Sequence, residues 1–455
     1  MKKLILAEKP SVGKDIARAL GANTSKQGYL EGNGYIVTWA MGHLVTLKDP
    51  EGYHEKFKNW DMEHLPILPD KMQLTLIPQG ARQFKLIKSL LANASEVIIA
   101  TDAGREGELV ARWILDYAKC KLPIKRLWIS SVTNKAILDG FKNLKDGRDY
   151  VNLYHSAVSR ATADWLVGIN GTRALTTKFN ASLSCGRVQT PTLSIINQRE
   201  NDIRQFVPKD YSSLSFTAEG VKFHHGERIF DKTKAGELLT YLKGQPITVS
   251  EVKASLKKSH TTGYDLTSLQ QDANRLFGFS ATQTLDLCQK LYERHKVLTY
   301  PRTDAKYITS DIVDTLKDRL QAVNFGPYAP FASKLLREGV QTKNLAFVND
   351  AKVSDHHALI PTEEPADFSD LSNHERKIYD LVVKKFLAML SPAYQFESTT
   401  VTLAVGNKTF TTKGKRVIEK GYKAVYDKSD IEETEDEGND QPAPLPKRSN
   451  PYWHI

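Results

Sequence analysis

Two apolar segments, each closed by an acidic residue and followed by a helical pattern, most strongly constrain the fold of this chain. LILAE (residues 4–8) precedes KPSVGKDIARAL, and VIIATD (residues 97–102) precedes REGELVARWIL. Such strand–helix alternation is typical of an α/β domain with a parallel sheet. Because ligand sites form at the carboxyl ends of parallel strands, we expect Glu8 and Asp102 to lie at one sheet edge. Ser11 is the expected N-cap of the first helix.

The rest of the 455-residue chain is long enough for several domains. Residues 151–200 and 265–390 have mainly helical patterns, whereas residues 210–256 and 396–426 carry strand-like alternation. The β-type stretches flank the second helical stretch, which predicts a helical domain inserted into a β domain. From about residue 427 the chain becomes acidic and proline-containing, so we predict a disordered tail.

The charge of the chain is unevenly distributed. The whole sequence has a formal net charge of +10, with 63 Lys and Arg against 53 Asp and Glu. Residues 429–440 hold seven acids and no base, so the remainder carries +17. A body this basic favours a polyanionic partner, of which nucleic acid is the commonest, and a basic but inert surface is the alternative.

The cysteines and the hydropathy exclude several classes of protein. Cys120, Cys185 and Cys288 are far apart and form no CxxC pair, which argues against a disulfide scaffold and a zinc ribbon and fits a reducing compartment. The apolar stretch in the start MKKLILAEKP is too short for a signal peptide. The sequence contains no run of about 18 apolar residues, so no membrane span is predicted.

Four carboxylates gather around the two strand ends. Glu8 and Asp102 close the strands, and Glu106 and Glu108 follow in the first turn of the second helix. Carboxylates at strand ends suit Mg²⁺, which prefers hard oxygen ligands. The alternative is that Glu106 and Glu108 merely favour the positive end of a helix.

Two basic residues beside these acids, Lys9 and Arg105, could hold a phosphate group. The nearby letters SVGK do not form a phosphate-binding loop, because the G-x-x-x-x-G-K-[ST] pattern is absent. The sequence therefore predicts no ATP site.

The segment LTYPRTD (residues 298–304) holds a candidate nucleophile. Tyr300 is followed at Arg302 by a guanidinium that can stabilise charge on phosphoryl oxygens, so the pair suits attack on a phosphodiester. The alternative is an ordinary turn, in which tyrosine before proline is common.

Two further segments carry polar residues of interest. In SDHHALIPT (residues 354–362), His356 and His357 could bind a metal or a phosphate, although such a pair is more often structural. In SLSCGRVQTPTL (residues 182–193), the donors of Gly186, Arg187 and Gln189 could contact a phosphate chain, or the segment could simply cap a helix.

Taken in order, these motifs resemble those of the type IA DNA topoisomerases, most closely the bacterial topoisomerase III branch. AEKPSVGKDIARAL resembles the family's opening strand and helix, and ATDAGREGE its Toprim acidic motif. SRATADWLVGINGTRAL and LSCGRVQTPTL resemble its DNA-binding helices. LTYPRTD resembles its nucleophile motif and SDHHALIPT its second gate-domain motif, so the resemblance extends from residue 1 to about residue 427.

The resemblance implies a multidomain fold that combines α/β, α and β parts. It predicts a Toprim α/β domain, a helical DNA-binding domain, and a β-rich arch with an inserted helical gate domain that carries the catalytic tyrosine. The corresponding segments are 1–150 for Toprim, 151–215 for DNA binding, 216–270 and 396–426 for the arch, 271–395 for the gate, and 427–455 for the disordered tail.

The resemblance also implies an activity. Tyr300 would attack single-stranded DNA, form a 5′-phosphotyrosine link and release a 3′-hydroxyl that later reverses the reaction. Strand passage through the break would relax negative supercoils or decatenate DNA without ATP, in a Mg²⁺-dependent manner. Glu8 would donate a proton to the leaving oxygen, for which crowding by Asp102 and Glu106 would raise its pKa.

Most of the predicted site residues match positions of the family motifs. His43 and Trp60 are weaker candidates. The expected catalytic residues are Tyr300, Glu8, Lys9, Arg302 and His356. The expected Mg²⁺ ligands are Glu8, Asp102 and Glu106. The expected DNA-binding residues are His43, Trp60, Arg160, Asp164, Arg173, Ser184, Cys185, Gly186, Arg187, Val188, Gln189, Thr190 and Arg302.

Two departures from the family pattern leave alternatives open. The acidic motif usually reads D-x-D-R-E-G-E, and Gly104 here replaces its second acid. Family members also continue beyond this length, so the chain is expected to be either a shortened form or the product of an interrupted reading frame, with an incomplete arch in both cases. The alternatives are a truncated, non-catalytic protein that binds single-stranded DNA, and another Toprim enzyme such as a nuclease or primase.

The resemblance implies DNA as the partner, both single-stranded and negatively supercoiled, and neither a membrane nor ATP. A monomer is expected because the family closes its ring within one chain. A helicase or a single-strand-binding protein is a further candidate partner that the sequence itself does not show. Resemblance and cysteine usage together predict a bacterial cytoplasmic protein that associates with nucleoid or plasmid DNA.

Overall fold

The computed structural model describes residues 2–339, 345–353, 356–426 and 452–453. Apart from residues 452–453, the predicted disordered tail at 427–455 lies outside this part of the chain. The chain forms two compact units. The first comprises Met1–Asp202, Tyr264–Val323 and Val348–Val382, and the second comprises Ile203–Gly263, Asn324–Phe347 and Val383–Ile455.

A seven-stranded sheet forms the centre of the first unit, in the order β2-β3-β4-β1-β7-β8-β9. The predicted strands are confirmed: β1 and β7 pair in parallel, and Ala7 lies opposite Ala100 where both strands end. The parallel pairs β4–β1, β1–β7 and β7–β8 are flanked by antiparallel edge strands. The strands of this unit are β1 Lys2–Ala7, β2 Thr24–Lys26, β3 Tyr29–Gly32, β4 Tyr35–Trp39, β5 Val45–Leu47, β6 Leu74–Leu76, β7 Ala94–Ala100, β8 Ile124–Arg126 and β9 Lys145–Asp146, with β5 and β6 forming a separate pair.

Helices cover both faces of this sheet because successive residues of a strand point to opposite sides. Leu4 and Leu6 of β1 belong to one apolar core, and Ile5 and Ala7 belong to the other. The core around Leu4 includes residues of α2 and α3, and the core around Ile5 includes residues of α1 and α4. These helices are α1 Pro10–Leu20, α2 Ala81–Leu91, α3 Arg105–Tyr117 and α4 Asn134–Lys142.

The predicted N-cap of α1 is wrong. The helix begins at Pro10 with Lys9 as its N-cap in an extended conformation, so Ser11 is already the second helical residue. Proline suits the first helical position because its fixed φ matches the helix and its missing N–H would have no helical partner there. The sheet edge is therefore followed immediately by helix, which keeps Glu8 and Lys9 in the short connection.

The remaining helices include the one that introduces the tyrosine segment. α9 ends with Tyr292 and Glu293, and Tyr292 is buried in the same core as Ile5 and Ile16. The chain then passes through residues 298–304 beside that core, with Tyr300 partly buried against it. The further helices are α5 Val151–Phe179, α6 Gln189–Arg204, α8 Leu266–Phe277, α9 Ala281–Glu293, α10 Leu316–Ala322 and α12 Asn373–Leu390.

The second unit contains a six-stranded sheet in the order β10-β11-β14-β13-β12-β15. Its long central strands confirm the strand-like alternation near residues 250 and 400, and β12 pairs with β13 along its whole length. The helix α7 was not predicted; Asp231 caps it by accepting hydrogen bonds from two backbone N–H groups. The elements are β10 Ser215–Ala218, β11 Val221–His224, α7 Lys232–Leu242, β12 Ile247–Ser259, α11 Ala329–Glu338, β13 Tyr394–Val405, β14 Lys408–Glu419 and β15 Tyr452–Trp453.

No helix in the described part of the chain combines the length and apolar character needed to cross a membrane.

Replacing Gly107 with alanine should destabilise the protein. A Cβ at this position of α3 would lie 2.1 Å from the carbonyl oxygen of Asp102, and that backbone would have to move. Overpacking of this kind typically costs about 1–3 kcal/mol. Chemical denaturation should show the loss in the free energy of unfolding.

Gly236 of α7 provides the matched control, because nothing lies within 4 Å of the Cβ that alanine would add there. Gly236→Ala should stabilise its helix by about 0.5–1 kcal/mol. Equal effects of the two substitutions would contradict the close approach at Gly107.

Candidate active site

A fully buried arginine fixes the backbone at the end of β7. Arg126 donates from Nη1 to the carbonyl oxygen of Thr101 over 2.9 Å and from Nη2 to that of Asp102 over 2.6 Å. Its Nε donates to Oε2 of Glu108 over 3.0 Å, and both side chains are completely buried. Arg112 donates to the other carboxylate oxygen, Oε1, over 2.6 Å. Both carboxylate oxygens of Glu108 thus pair with arginines, and the Asp102 carbonyl is held in one position.

Glu8 and Asp102 lie side by side at the predicted sheet edge. The backbone N–H of Asp102 donates to Oε2 of Glu8 over 3.2 Å. Burial raises the pKa of both carboxyls, and the charge of Asp102 raises the pKa of Glu8 further. Lys9 acts in the opposite direction on both groups. The Glu8 pKa is therefore raised in the predicted direction, but burial is the largest cause and Asp102 the second, rather than crowding by Asp102 and Glu106.

The Tyr300 side chain reaches this pair of carboxyls. Its hydroxyl donates a hydrogen bond to the Asp102 carboxylate, and burial together with the charge of Asp102 raises the pKa of the phenol well above its usual range. The Arg302 guanidinium, which is exposed, lowers that pKa in part. The sequence placed Tyr300 and Asp102 almost two hundred residues apart, and the fold brings their side chains into direct contact.

One histidine packs against the tyrosine, and the next binds Ser130. The ring of His356 lies 4.2 Å from that of Tyr300, centroid to centroid, and burial lowers its pKa to about 3. His357 Nδ1 lies 2.7 Å from the carbonyl oxygen of Ala358, which can only accept, so Nδ1 carries the proton. The other nitrogen, Nε2, then accepts from the Ser130 hydroxyl over 3.0 Å. Both rings are neutral and positioned by packing or hydrogen bonds.

Ser130 links His357 to the tyrosine backbone. Its carbonyl oxygen accepts a hydrogen bond from the N–H of Tyr300 over 3.0 Å, while its hydroxyl contacts His357. Tyr292 packs edge-to-face on Tyr300 at 5.4 Å. The position of the phenol is therefore fixed by a backbone hydrogen bond and by aromatic contacts on two sides.

Lys9 supplies a cation beside the acids. Its Nζ lies 2.5 Å from Oε1 of Glu293, and the same carboxylate accepts from the Gln289 amide. Lys9 and Glu293 are both partly buried, at 37% and 23% side-chain exposure. The lysine side chain thus reaches from the connection after β1 to the end of α9.

Glu106 is bound to two other side chains. Its carboxylate pairs with Arg160 and lies 2.8 Å from Nε2 of His43. Among the described residues, no group of three or more His, Cys, Asp or Glu side chains is close enough to hold a metal ion. Metal roles for Glu8, Asp102 and Glu106 therefore stay predictions.

The predicted strand-binding motif forms a loop held against α5. Arg187 donates to Oδ1 of Asp164 over 2.7 Å, and both side chains are about half exposed. The Cys185 N–H donates to the Thr172 hydroxyl over 3.0 Å, while the Gly186 N–H donates to the Thr190 hydroxyl over 3.0 Å. The loop therefore has a fixed shape. The exposed residues between 184 and 190 are Ser184, Arg187, Val188, Gln189 and Thr190.

Trp60 and Arg173 form a second predicted contact surface. The Arg173 guanidinium lies 5.1 Å from the centre of the Trp60 ring and donates to the carbonyl oxygen of Phe57 over 2.6 Å. Arg173 is 5% exposed, whereas Trp60 is 48% exposed. The arginine supports the indole from within, and only the indole presents a face on which a base could stack.

Several residues around the site were not predicted from the sequence. Arg126 stands in the short strand IKR, and a lone arginine within the apolar segment PIKRLWI is a weak signal of a buried charge. Ser130, Tyr292 and Glu293 left no pattern of their own. Their roles depend on which segments the fold brings together, and a single sequence does not reveal that.

Comparisons with known proteins identify the family of this chain. A family profile described as DNA topoisomerase matches residues 148–449, and a Toprim domain profile matches residues 3–132. DNA topoisomerase 3 of Bacillus licheniformis is 54% identical over 452 residues, which cover 97% of this chain and 62% of the relative. DNA topoisomerase 3 of Bacillus subtilis is 53% identical over the same length. The chain thus spans about three fifths of the length of these curated relatives.

A solved structure gives the same result. The full-length topoisomerase I of Thermotoga maritima superposes with a TM-score of 0.68 at 26% identity, covering 93% of this chain and 67% of that one.

The fold and the site define a Toprim-containing protein in which a tyrosine contacts the acidic end of the Toprim sheet. The chain belongs to the DNA topoisomerase family, and the resemblance to the type IA class is confirmed.

Glu108→Gln should destabilise the first unit strongly. The substitution leaves the fully buried Arg126 without its carboxylate partner, and breaking a buried pair in this way costs about 3–5 kcal/mol. Urea unfolding measures the loss. Asp139→Asn, which breaks the exposed pair with Lys142, is the control and should change stability little. Similar losses in both variants would contradict the account of Arg126.

Lowering the pH should reduce the free energy of unfolding between about pH 6.5 and pH 4. Burial holds the pKa of His357 at about 4, below the roughly 6.5 of an unfolded histidine. In that interval the unfolded chain binds a proton that the folded protein does not, so stability falls as the pH falls. Urea unfolding at several pH values should show a shallower dependence for His357→Gln, and an unchanged dependence would count against a neutral, buried His357.

Proposed function

We propose that this chain cleaves and rejoins single-stranded DNA through a covalent bond to Tyr300. The observation that carries the proposal is the hydrogen bond between the Tyr300 hydroxyl and the Asp102 carboxylate, at the acidic end of the Toprim sheet. In this reaction the tyrosine oxygen attacks phosphorus. The new P–O bond joins the 5′-phosphate to the tyrosine while the bond to the 3′-oxygen breaks.

The two carboxyls have complementary roles in proton transfer. Asp102 accepts the phenolic proton, because it already accepts the Tyr300 hydrogen bond and because Lys9 favours its ionised form. Glu8 donates a proton to the leaving 3′-oxygen, because burial and the charge of Asp102 favour its protonated form. Rejoining reverses both transfers. One phosphate ester replaces another, so the cycle needs no ATP.

Positive charge is needed while the tyrosine attacks the phosphate. A phenol with a raised pKa is a weak nucleophile, so it must lose its proton as it attacks rather than beforehand. The developing charge on the phosphoryl oxygens then requires cations. Lys9, which acts on Glu8, and the exposed Arg302, which acts on Tyr300, are candidates. His356 keeps the phenol in place as a neutral ring.

A divalent cation fits the same carboxyls. Glu8 and Asp102 are adjacent, and their like charges repel when both groups are ionised. A hard cation would relieve this repulsion, so both would hold Mg²⁺. Bound Mg²⁺ would supply positive charge to the DNA ends during rejoining. Glu106 would join only after leaving His43 and Arg160.

The DNA strand would lie along α5 and the 184–190 loop. Arg160, Arg187 and the exposed Trp60 offer phosphate contacts and a stacking surface. Negatively supercoiled DNA, which opens into single strands, would be the natural substrate. The proposed outcome of the reaction is relaxation or decatenation of DNA. The proposal also includes a monomeric state, a helicase or single-strand-binding partner, and a bacterial cytoplasmic location.

Two other functions predict different outcomes. A non-catalytic protein that binds single strands would bind in a salt-sensitive manner and form no covalent adduct. A Toprim nuclease would release cut DNA without attachment to protein. The contact between Tyr300 and Asp102 has no role in either, which favours the tyrosine reaction.

Tyr300→Phe should abolish covalent attachment while single-strand binding changes little. The protein is mixed with a single-stranded oligonucleotide and Mg²⁺ and is then denatured with detergent. An oligonucleotide labelled at its 3′ end should label the wild-type protein, whereas one labelled at its 5′ end should give a free shortened fragment. This asymmetry reports a 5′-phosphotyrosine link.

Tyr307→Phe is the matched control, because that hydroxyl contacts Lys352 and not a carboxylate. It should form the adduct as the wild type does. An adduct that persists in Tyr300→Phe, or its absence from the wild type, would contradict the proposal.

A further inference from the structure

We infer that Glu293 is a positioning residue that holds the Lys9 ammonium at the reacting phosphate when the tyrosine is in place. This inference rests on the proposed function and assigns a role to a side chain that lies outside the predicted motifs. Glu293 is the last residue of α9, and its Oε1 lies 2.5 Å from Nζ of Lys9.

The carboxylate of Glu293 is itself held in position. Oε1 also accepts from the amide of Gln289, one turn earlier on the same helix. The neighbouring Tyr292 is buried in the core with Ile5 and Ile16, so the end of α9 is anchored against the sheet. A charged hydrogen bond to an anchored acceptor restricts a long lysine side chain much more than solvent would.

The ion pair joins the two halves of the reaction site. Lys9 follows β1 directly, next to Glu8, whereas Glu293 precedes Tyr300 by seven residues on the segment that supplies the nucleophile. The charge of Glu293 also acts on Asp102, which places both carboxylates near the same ammonium. The lysine is therefore shared between the acids of the sheet edge and an acid of the tyrosine segment.

This arrangement makes the position of Lys9 depend on the position of Tyr300. With the tyrosine segment in place, Glu293 holds the ammonium beside Asp102 and Glu8, where the phosphoryl oxygens would arrive. Without Glu293, Lys9 would turn towards the two remaining acids or solvent. Small displacements of a catalytic group lower the rate far more than they lower affinity, because binding uses many other contacts.

Glu293→Gln should slow adduct formation about 10- to 100-fold in a single turnover, since misplacing a catalytic group by about 1 Å has an effect of this size. The amide keeps the shape of the side chain and removes its charge. The dissociation constant for the same oligonucleotide should change less than about threefold, because Glu293 is not expected to touch DNA. Asp318→Asn, which breaks the exposed pair with Lys135, is the control and should leave the rate unchanged.

A double-mutant cycle separates positioning from general support of the fold. In a Lys9→Met background, Glu293→Gln should change the remaining rate by less than about twofold, because its effect passes through Lys9. An equal loss in both backgrounds, or an unchanged rate in Glu293→Gln alone, would overturn the inference.

If Glu293→Gln lowers the melting temperature, Gln289→Ala tests the same point, since it frees the carboxylate and keeps its charge. It should slow adduct formation in the wild-type background and have little effect beside Lys9→Met. A missing adduct in the wild type would instead contradict the proposed function, so the two failures are distinguishable.

Discussion

The buried guanidinium of Arg126 is the interaction on which the reaction site depends. It binds the carbonyl oxygens at the end of β7 and the carboxylate of Glu108, so an irregular stretch of backbone has its acceptors satisfied in the interior. Asp102 can then present its side chain to Glu8 and Tyr300, since its carbonyl oxygen is already hydrogen-bonded to Arg126. Burying a charged group lowers the stability of the fold unless all of its partners are in place, so the positions of these partners are tightly constrained.

The tyrosine reaches the acids through a second set of contacts. Tyr292 enters the core beside β1, Ser130 binds the Tyr300 N–H, and His356 lies against the phenol ring. Each contact contributes little free energy alone. Together they hold the Tyr300 hydroxyl against the Asp102 carboxylate, and this pairing offsets the cost of burying both polar groups. A site built from two distant segments in this way suits chemistry on a bound strand, because both segments can contact it.

The sequence was informative where local pattern decides structure. Strand ends carrying Glu8 and Asp102 could be predicted, because buried strands and the helices after them leave a clear periodicity. The family motifs added Tyr300, since its neighbours are specific. Contacts made by Glu293, Ser130 and Arg126 could not be predicted, because they depend on long-range packing. The expectation for Ser11 failed because Pro10 already starts the helix. Helix α7 left too weak a pattern between two strands.

The most direct test of the account is a crystal structure of the DNA-free protein. It should place the Tyr300 hydroxyl within about 2.5–3.2 Å of an Asp102 carboxylate oxygen, with Arg126 bound to the Asp102 carbonyl. A phenol that points into solvent, with Asp102 paired to another group, would contradict the central claim.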